Sequence, residues 1–412
     1  MIGRNKAVTA VTLSFALALP AVAAGTASAA PKTSALSSAA QAQAQAQAQA
    51  ASPAPGTATD AAARPMRLPN PTGEYAVGSS VFHLVDRSRT DPWKPEAGAR
   101  ELMLTLHYPA ARSGPGRPAP YATTDETALL VKGLGIEAAV PAGQLSATRT
   151  HSRPDARPAR GSYPLIVLSP GFSVSRYTLT GLAEDLASRG YVVASLDHAY
   201  ESFGISVPGG RTLTCLACDA LGTGGVPGSV VTDTRAKDVS FVLDRLTGRH
   251  PIWRHAEMID KRRIGMAGHS IGGASAASTM LADRRVAAGV NMDGAFWDTL
   301  PAKGLGGRPF MMLGTDEHRP GGPDKTWDRT WPTLGGWKRW LTVAGSEHFT
   351  FSDSPAIEEH FGLPEPPLPA GRATDITRTY VAAFFDEHLR GIPQPVLAGP
   401  TAQNPEVRFE NP

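Results

Sequence analysis

Short runs of apolar residues recur along this chain, each stopped by Gly, Ser, Asp or His. Glu101 to Tyr108 (ELMLTLHY), Leu165 to Leu168, Tyr191 to Leu196 and Ile264 to Ala267 are four of them. Ala287 to Met292, Pro309 to Leu313 and Trp340 to Val343 continue the series. Most are continuous rather than alternating, which is the pattern of parallel strands buried on both faces. Helical spacing lies between them. Leu179, Leu182 and Leu186 precede a stop at Gly190, and Val239, Val242, Leu243 and Leu246 precede one at Gly248. Ile376, Tyr380, Phe384 and Phe385 mark a last helix ending near Gly391. Such alternation predicts an α/β fold, a doubly wound and mainly parallel sheet with helices on both faces.

The chain has 412 residues, more than one such domain needs, and the excess sits at the N-terminus. Arg4 and Lys6 precede an apolar run from Ala7 to Ala24, and Ala27-Ser28-Ala29 follows. This is the layout of a secretory signal peptide over residues 1–29. Residues 30–66 hold a Gln-Ala alternation and Ser52-Pro53-Ala54-Pro55-Gly56. Ala and Gln bury too little apolar area to offset backbone entropy, so a disordered tether is expected there. Residues 67–412 then form one globular domain. No segment after the leader is long and apolar enough to span a bilayer.

Formal charge is +3. Removing residues 1–29 takes away Arg4 and Lys6 and no acids, leaving 3 − 2 = +1. No Lys/Arg block stands out, which argues against nucleic acid as a partner. Cys215 and Cys218 are the only cysteines. In an oxidising compartment, with no second pair to complete a zinc site, a local disulfide is the first reading. Two free thiols and a redox pair are the alternatives.

The chemistry is concentrated at Gly268-His269-Ser270-Ile271-Gly272. This is the G-x-S-x-G nucleophile elbow of α/β-hydrolases, placed as the motif requires between an apolar strand and a small-residue helix. A serine hydroxyl needs a base, and the acid and histidine follow the serine in this fold. His348, in Gly345-Ser346-Glu347-His348-Phe349 after the last predicted strand, is best placed. His318, His360 and His388 compete, with His388 expected on a solvated helix face. Strand ends leave two acids open, Asp293 and Asp316. The oxyanion hole needs backbone N–H donors, expected from Ile271 and from Phe172 in Ser169-Pro170-Gly171-Phe172. Neither metal nor organic cofactor is required.

Three stretches do not fit the sheet: Thr123 to Ala147, Gly204 to Gly228 and Phe361 to Gly371. Insertions in this fold class lie above the carboxyl ends of the strands, so they are expected to wall a substrate pocket. Phe172, Ile271, Phe296, Trp297 and Phe349 flank the site residues. Phe172, Trp297 and Phe349 are assigned to substrate binding, and an aromatic beside a strand end is as often core.

At these residues the sequence resembles the plasma-type platelet-activating-factor acetylhydrolases and their bacterial relatives. Pro71 to Tyr108 looks like their N-terminal β region. Pro164 to His198 is similar to their oxyanion strand, helix and next strand, and Asp238 to Leu246 to their pre-elbow helix. Gly268 to Gly273, Asn291 to Gly294 and Gly345 to Phe349 match their elbow, acid and histidine segments. The resemblance implies the α/β-hydrolase fold and favours Asp293 as the acid, with Asp316 as runner-up. It also implies a calcium-independent lipid esterase related to phospholipases A2 that remove short acyl groups. Where that family often has His-Gly at the oxyanion loop, this chain has Pro170-Gly171.

The expected function is therefore that of a secreted serine esterase acting on a small-molecule or lipid ester, with peripheral lipid contact and no transmembrane span. A cutinase-like polyester or triglyceride lipase is the rival enzyme. A catalytically dead hydrolase fold acting as a binding protein is the rival of another class.

Overall fold

The computed structural model describes residues 65–112, 116–364 and 366–412. The expected signal peptide and nearly all of the expected tether lie outside the described residues. Met66, the last tether position, is 2 % exposed, and its carbonyl accepts a hydrogen bond from the Arg149 N–H at 2.8 Å. The packed domain thus includes Met66, the first large apolar residue after the Ala-rich tract, whose burial is worth about 1.5–3 kcal/mol.

The first elements are β1 (Ala76–Thr90), β2 (Ala99–Ala110), α1 (Thr124–Leu134), α2 (Ala142–Ser146) and the short β3 (Arg153–Pro154). Then come β4 (Tyr163–Ser169), α3 (Thr180–Ser188), β5 (Val192–His198), β6 (Ile205–Val207) and β7 (Arg211–Leu213). They are followed by α4 (Leu216–Gly222), α5 (Ser229–Thr247), β8 (Ile259–His269), α6 (Ile271–Ala282) and β9 (Val286–Met292). The last are β10 (Phe310–Gly314), α7 (Thr326–Thr330), β11 (Lys338–Val343), α8 (Ser354–Phe361), α9 (Ala370–Arg390) and β12 (Val407–Phe409).

One sheet carries the strands in the order β12-β11-β10-β9-β8-β4-β5-β2-β1-β3, and β6 and β7 form a separate hairpin. From β11 to β5 every neighbouring pair is parallel. β2 joins β5, β1 joins β2 and β12 joins β11 antiparallel. This is the α/β-hydrolase arrangement that the sequence predicts. No apolar run marks β1, because Asp86, Arg87 and Arg89 interrupt it.

Successive strand residues point to opposite faces, and the two cores follow that alternation. On one face Leu165, Val167, Ile264, Met266 and Met312 pack against Val239, Val242 and Leu243 of α5. On the other, Ile166, Leu168, Ala267, Met311 and Leu313 pack against Leu182 of α3 and Tyr380 and Phe384 of α9. Both faces are covered, which is why the strands read as continuous apolar runs.

Phe385 of α9 is fully buried beneath Gly265 of β8, where even one added carbon would lie 2.4 Å from its ring. Phe385→Ala should therefore cost about 3–5 kcal/mol, read as a lower urea midpoint at unchanged slope.

Candidate active site

Crowding forces the elbow. A Cβ on Gly268 would lie 2.2 Å from the Gly272 backbone, and one on Gly272 would lie 2.1 Å from the Ser169 carbonyl oxygen. Only glycine lets β8, α6 and β4 approach so closely. Between them Ser270 takes φ 55° and ψ −129°, a conformation that a non-glycine residue holds only when its surroundings impose it. The Ser270 N–H donates to the Met292 carbonyl at 2.8 Å, tying the turn to the end of β9.

Ser270 Oγ lies 2.9 Å from His348 Nε2, and His348 Nδ1 lies 2.7 Å from Asp293 Oδ2. The structure thus brings together the serine, the histidine and the earlier of the two acids. Asp316 is elsewhere: its side chain is 46 % exposed and pairs with Arg408. His360 packs edge-on against Phe361 at the end of α8. His388 does not sit on a solvated face, because it packs against Trp337 at 4.3 Å and Phe384 at 4.8 Å. The sequence spacing of α9 left Trp337, which comes from the strand edge, out of view.

Asp293 is buried, and burial alone would raise its carboxyl pKa; His318 and His348 outweigh that and hold it well below the usual carboxylate range. Its other oxygen, Oδ1, accepts the Thr315 N–H at 2.7 Å and bonds His318 Nδ1 at 2.9 Å. His269, the variable residue of the elbow, donates Nε2–H to the His348 carbonyl at 2.7 Å. Burial, reinforced by His348, pushes its pKa down to about 3.

The loop after β4, where one oxyanion donor is expected, has a support that no sequence motif flagged. Arg235 of α5, almost fully buried, places Nη1 2.5 Å from the Pro170 carbonyl and 3.2 Å from Ser169 Oγ, and Nη2 3.5 Å from the Gly171 carbonyl. In a trans peptide the C=O and the following N–H point in opposite directions. With the Gly171 carbonyl turned toward Arg235, the Phe172 N–H points away from it. Ile271 is the first residue of α6, so its N–H has no partner within the helix. Arg235 is itself held by Glu201 at 2.8 Å, and Glu201 by the fully buried Arg100, which also pairs with Asp91 and Asp238. A buried arginine is invisible to periodicity, and only its place in the pre-elbow helix could have pointed to it.

Apolar clusters flank the site on two sides. Phe172 and Trp297, with ring centroids 6.4 Å apart, pack with Ile271, Val231 and the α4 residues Ala217 and Leu221. Cys215 and Cys218 at the start of α4 are joined as a disulfide. On the opposite side Phe349 packs 5.4 Å from both His269 and His348, against Leu130 of α1 and Val174. Phe296 belongs to the core, beside Phe310 and Trp327. Among the described residues no cluster of three or more His, Cys, Asp or Glu could hold a metal ion, and no helix is long and apolar enough to cross a membrane.

The family model for platelet-activating factor acetylhydrolase, isoform II, matches residues 62–208, which span the loop after β4 and end before Ser270. A probable 1-alkyl-2-acetylglycerophosphocholine esterase of Arthroderma benhamiae is 28 % identical over 374 residues, covering 83 % of this chain and 93 % of that protein. Both matches are to platelet-activating-factor acetylhydrolase-like proteins, and they support a likeness to that family. The chain is a carboxylic ester hydrolase. Among solved structures, a ferulic acid esterase from Streptomyces cinnamoneus is 46 % identical, with a TM-score of 0.75. That match covers 84 % of this chain and 99 % of the other.

The depressed His269 titration has a signed consequence for this esterase. A histidine whose pKa falls from 6.5 to about 3 on folding contributes stability that is present above pH 6.5 and is lost as pH drops toward 3. His269→Gln keeps a donor for the His348 carbonyl and does not titrate. The drop in urea midpoint between pH 7 and pH 4 should be smaller in that variant than in the wild type.

Proposed function

We propose that this protein is a secreted serine esterase that hydrolyses short-acyl carboxylic esters, phospholipids among them, by a two-step acyl transfer. The single observation that carries the reading is the continuous path Ser270 Oγ–His348 Nε2/Nδ1–Asp293 Oδ2, at 2.9 and 2.7 Å. Ser270 attacks the ester carbonyl while His348 takes its proton, and the leaving alcohol takes that proton back from His348. Asp293 fixes the tautomer of His348 and stabilises the imidazolium. The N–H groups of Phe172 and Ile271 receive the developing oxyanion. Water, activated by the same histidine, then releases the acid. The acetylglycerophosphocholine esterase named among the relatives supports a short acyl group. Secretion is supported by the leader-like residues 1–29 and by a disulfide, which persists in oxidising compartments. N-terminal sequencing of the exported protein should find the chain starting after Ala29.

A specific observation favours a second reading, esters of aromatic acids. The half-buried rings of Phe172 and Trp297 stand 6.4 Å apart next to Ile271, and the ferulic acid esterase shares 46 % identity. A panel of p-nitrophenyl esters of graded length, a short-acyl phospholipid and methyl ferulate separates the two. On the short-acyl reading kcat/KM rises about fourfold per methylene, the equivalent of ~0.8 kcal/mol, and then falls sharply at the wall. Preference for ferulate would favour the aromatic reading. A maximum at long-chain triglycerides, with activation at an oil–water interface, would refute both and point to the lipase rival.

Ser270→Ala should lose at least ~10³-fold in kcat and all labelling by a fluorophosphonate, and a wild type that never labels would mean a dead hydrolase fold. Asp293→Asn should lower kcat by roughly 10⁴-fold near neutral pH. Asp316→Asn breaks only an exposed ion pair and should stay near wild type.

A further inference from the structure

We propose that His318 is a positioning residue for the acid. It shares the Asp293 carboxylate with His348 and thereby keeps the esterase active to lower pH than a carboxylate serving one histidine would allow. The inference rests on the Ser270–His348–Asp293 reading above.

The geometry starts from the carboxylate. Oδ2 of Asp293 faces His348 Nδ1 at 2.7 Å, while Oδ1 faces His318 Nδ1 at 2.9 Å and the Thr315 N–H at 2.7 Å. An ionised carboxylate only accepts hydrogen bonds, so His318 Nδ1 carries a proton. The His318 ring is buried and stacks on Trp327 at 4.7 Å, while its carbonyl accepts Trp340 Nε1–H at 2.9 Å. The ring is held by Trp327 and its backbone by Trp340, so it cannot turn away from Asp293 without breaking the stack on Trp327. Its far nitrogen, Nε2, is buried without a hydrogen-bond partner, and Asp324 Oδ2 is 3.8 Å off. A donor aimed at Asp293 explains which nitrogen is satisfied and which is not.

The charged groups around His318 are Asp293 at the end of β9, Glu317 on its own turn and Asp324 before α7. From α7 and β11 the facing side chains are the uncharged Trp327 and Trp340. Burial disfavours the imidazolium of His318, but the acids outweigh burial and raise its pKa above the ordinary value.

The sign of the effect is the same whichever charge His318 carries. A neutral N–H donor withdraws part of the Asp293 charge through the hydrogen bond, and an imidazolium cancels more of it. Either way Asp293 stabilises a proton on His348 less than an unshared carboxylate would. The base form of His348, which the attack of Ser270 requires, then persists further into acid.

Two variants and one spectrum test this. His318→Phe keeps a ring on Trp327 and removes both nitrogens, whereas His318→Asn offers Nδ2–H near the position of Nδ1. In His318→Phe the acid limb of kcat/KM for p-nitrophenyl acetate, followed by pH-stat, should move up by half a pH unit or more, and His318→Asn should restore part of the shift. A merely structural role lowers activity without moving the limb, so an unmoved or down-shifted limb in a folded His318→Phe overturns the proposal. If that variant does not fold, ¹⁵N NMR of the wild type decides. A proton on His318 Nδ1 across pH 5–8 supports the proposal, and a neutral His318 protonated only on Nε2 overturns it. Fluorophosphonate labelling of Ser270 runs beside each assay. Labelling at Ser270 with an unmoved limb defeats only the role of His318, whereas labelling that survives Ser270→Ala defeats the underlying site as well.

Discussion

A single ionised carboxylate in the interior organises the upper edge of this sheet. Removed from water, Asp293 would ordinarily hold its proton. It stays charged because two imidazole nitrogens and the Thr315 N–H converge on it. Those three groups come from the loops after β10 and β11, and Asp293 itself follows β9. Three parallel strands in register are therefore needed to satisfy one side chain. A single substitution among them would leave a buried charge partly unpaired, which is among the costliest defects a core can carry.

The second constraint is space. Gly268 and Gly272 let β8, α6 and β4 meet at contact distances that admit no side chain, and the strain is concentrated in Ser270 at φ 55°. The same closeness brings the loop after β4 to Ser270. That loop is held from behind by Arg235, in a buried ionic cluster with Glu201, Arg100, Asp91 and Asp238. Pairing within the cluster offsets the cost of removing its charges from water. By its place in the fold the cluster fixes the direction of the Gly171–Phe172 peptide, which an apolar cluster of the same volume would not do.

Much of this was legible in the sequence. The central strands showed as apolar runs because burial on both faces leaves no alternation, and the glycines of the elbow showed because close approach excludes every other residue. The sequence pattern placed Ser270 and His348 at strand ends, where the structure brings them together. It left Asp293 and Asp316 open, since both end strands; the family resemblance favoured the former, and burial distinguishes them in the fold. What did not show were partners brought in across the sheet. His318 read only as a rival base, His388 read as solvated and Arg235 was not singled out, because spacing along one element says nothing about Trp337, Asp293 or the Pro170 carbonyl on others. β1 was missed as a strand pattern because Asp86, Arg87 and Arg89 interrupt it; in the fold Arg89 pairs with the nearby Asp86 and with Asp238 of α5.

The central claim is that Ser270 carries the acyl group during turnover. The most direct measurement mixes the enzyme with excess p-nitrophenyl acetate, quenches it in acid within the first turnover and maps peptides by mass spectrometry. The account predicts a burst of p-nitrophenol and one acetyl group on the peptide holding Ser270, absent when the quench follows exhaustion of the substrate. Turnover with no covalent acyl group, or an acyl group on a different residue, would contradict it.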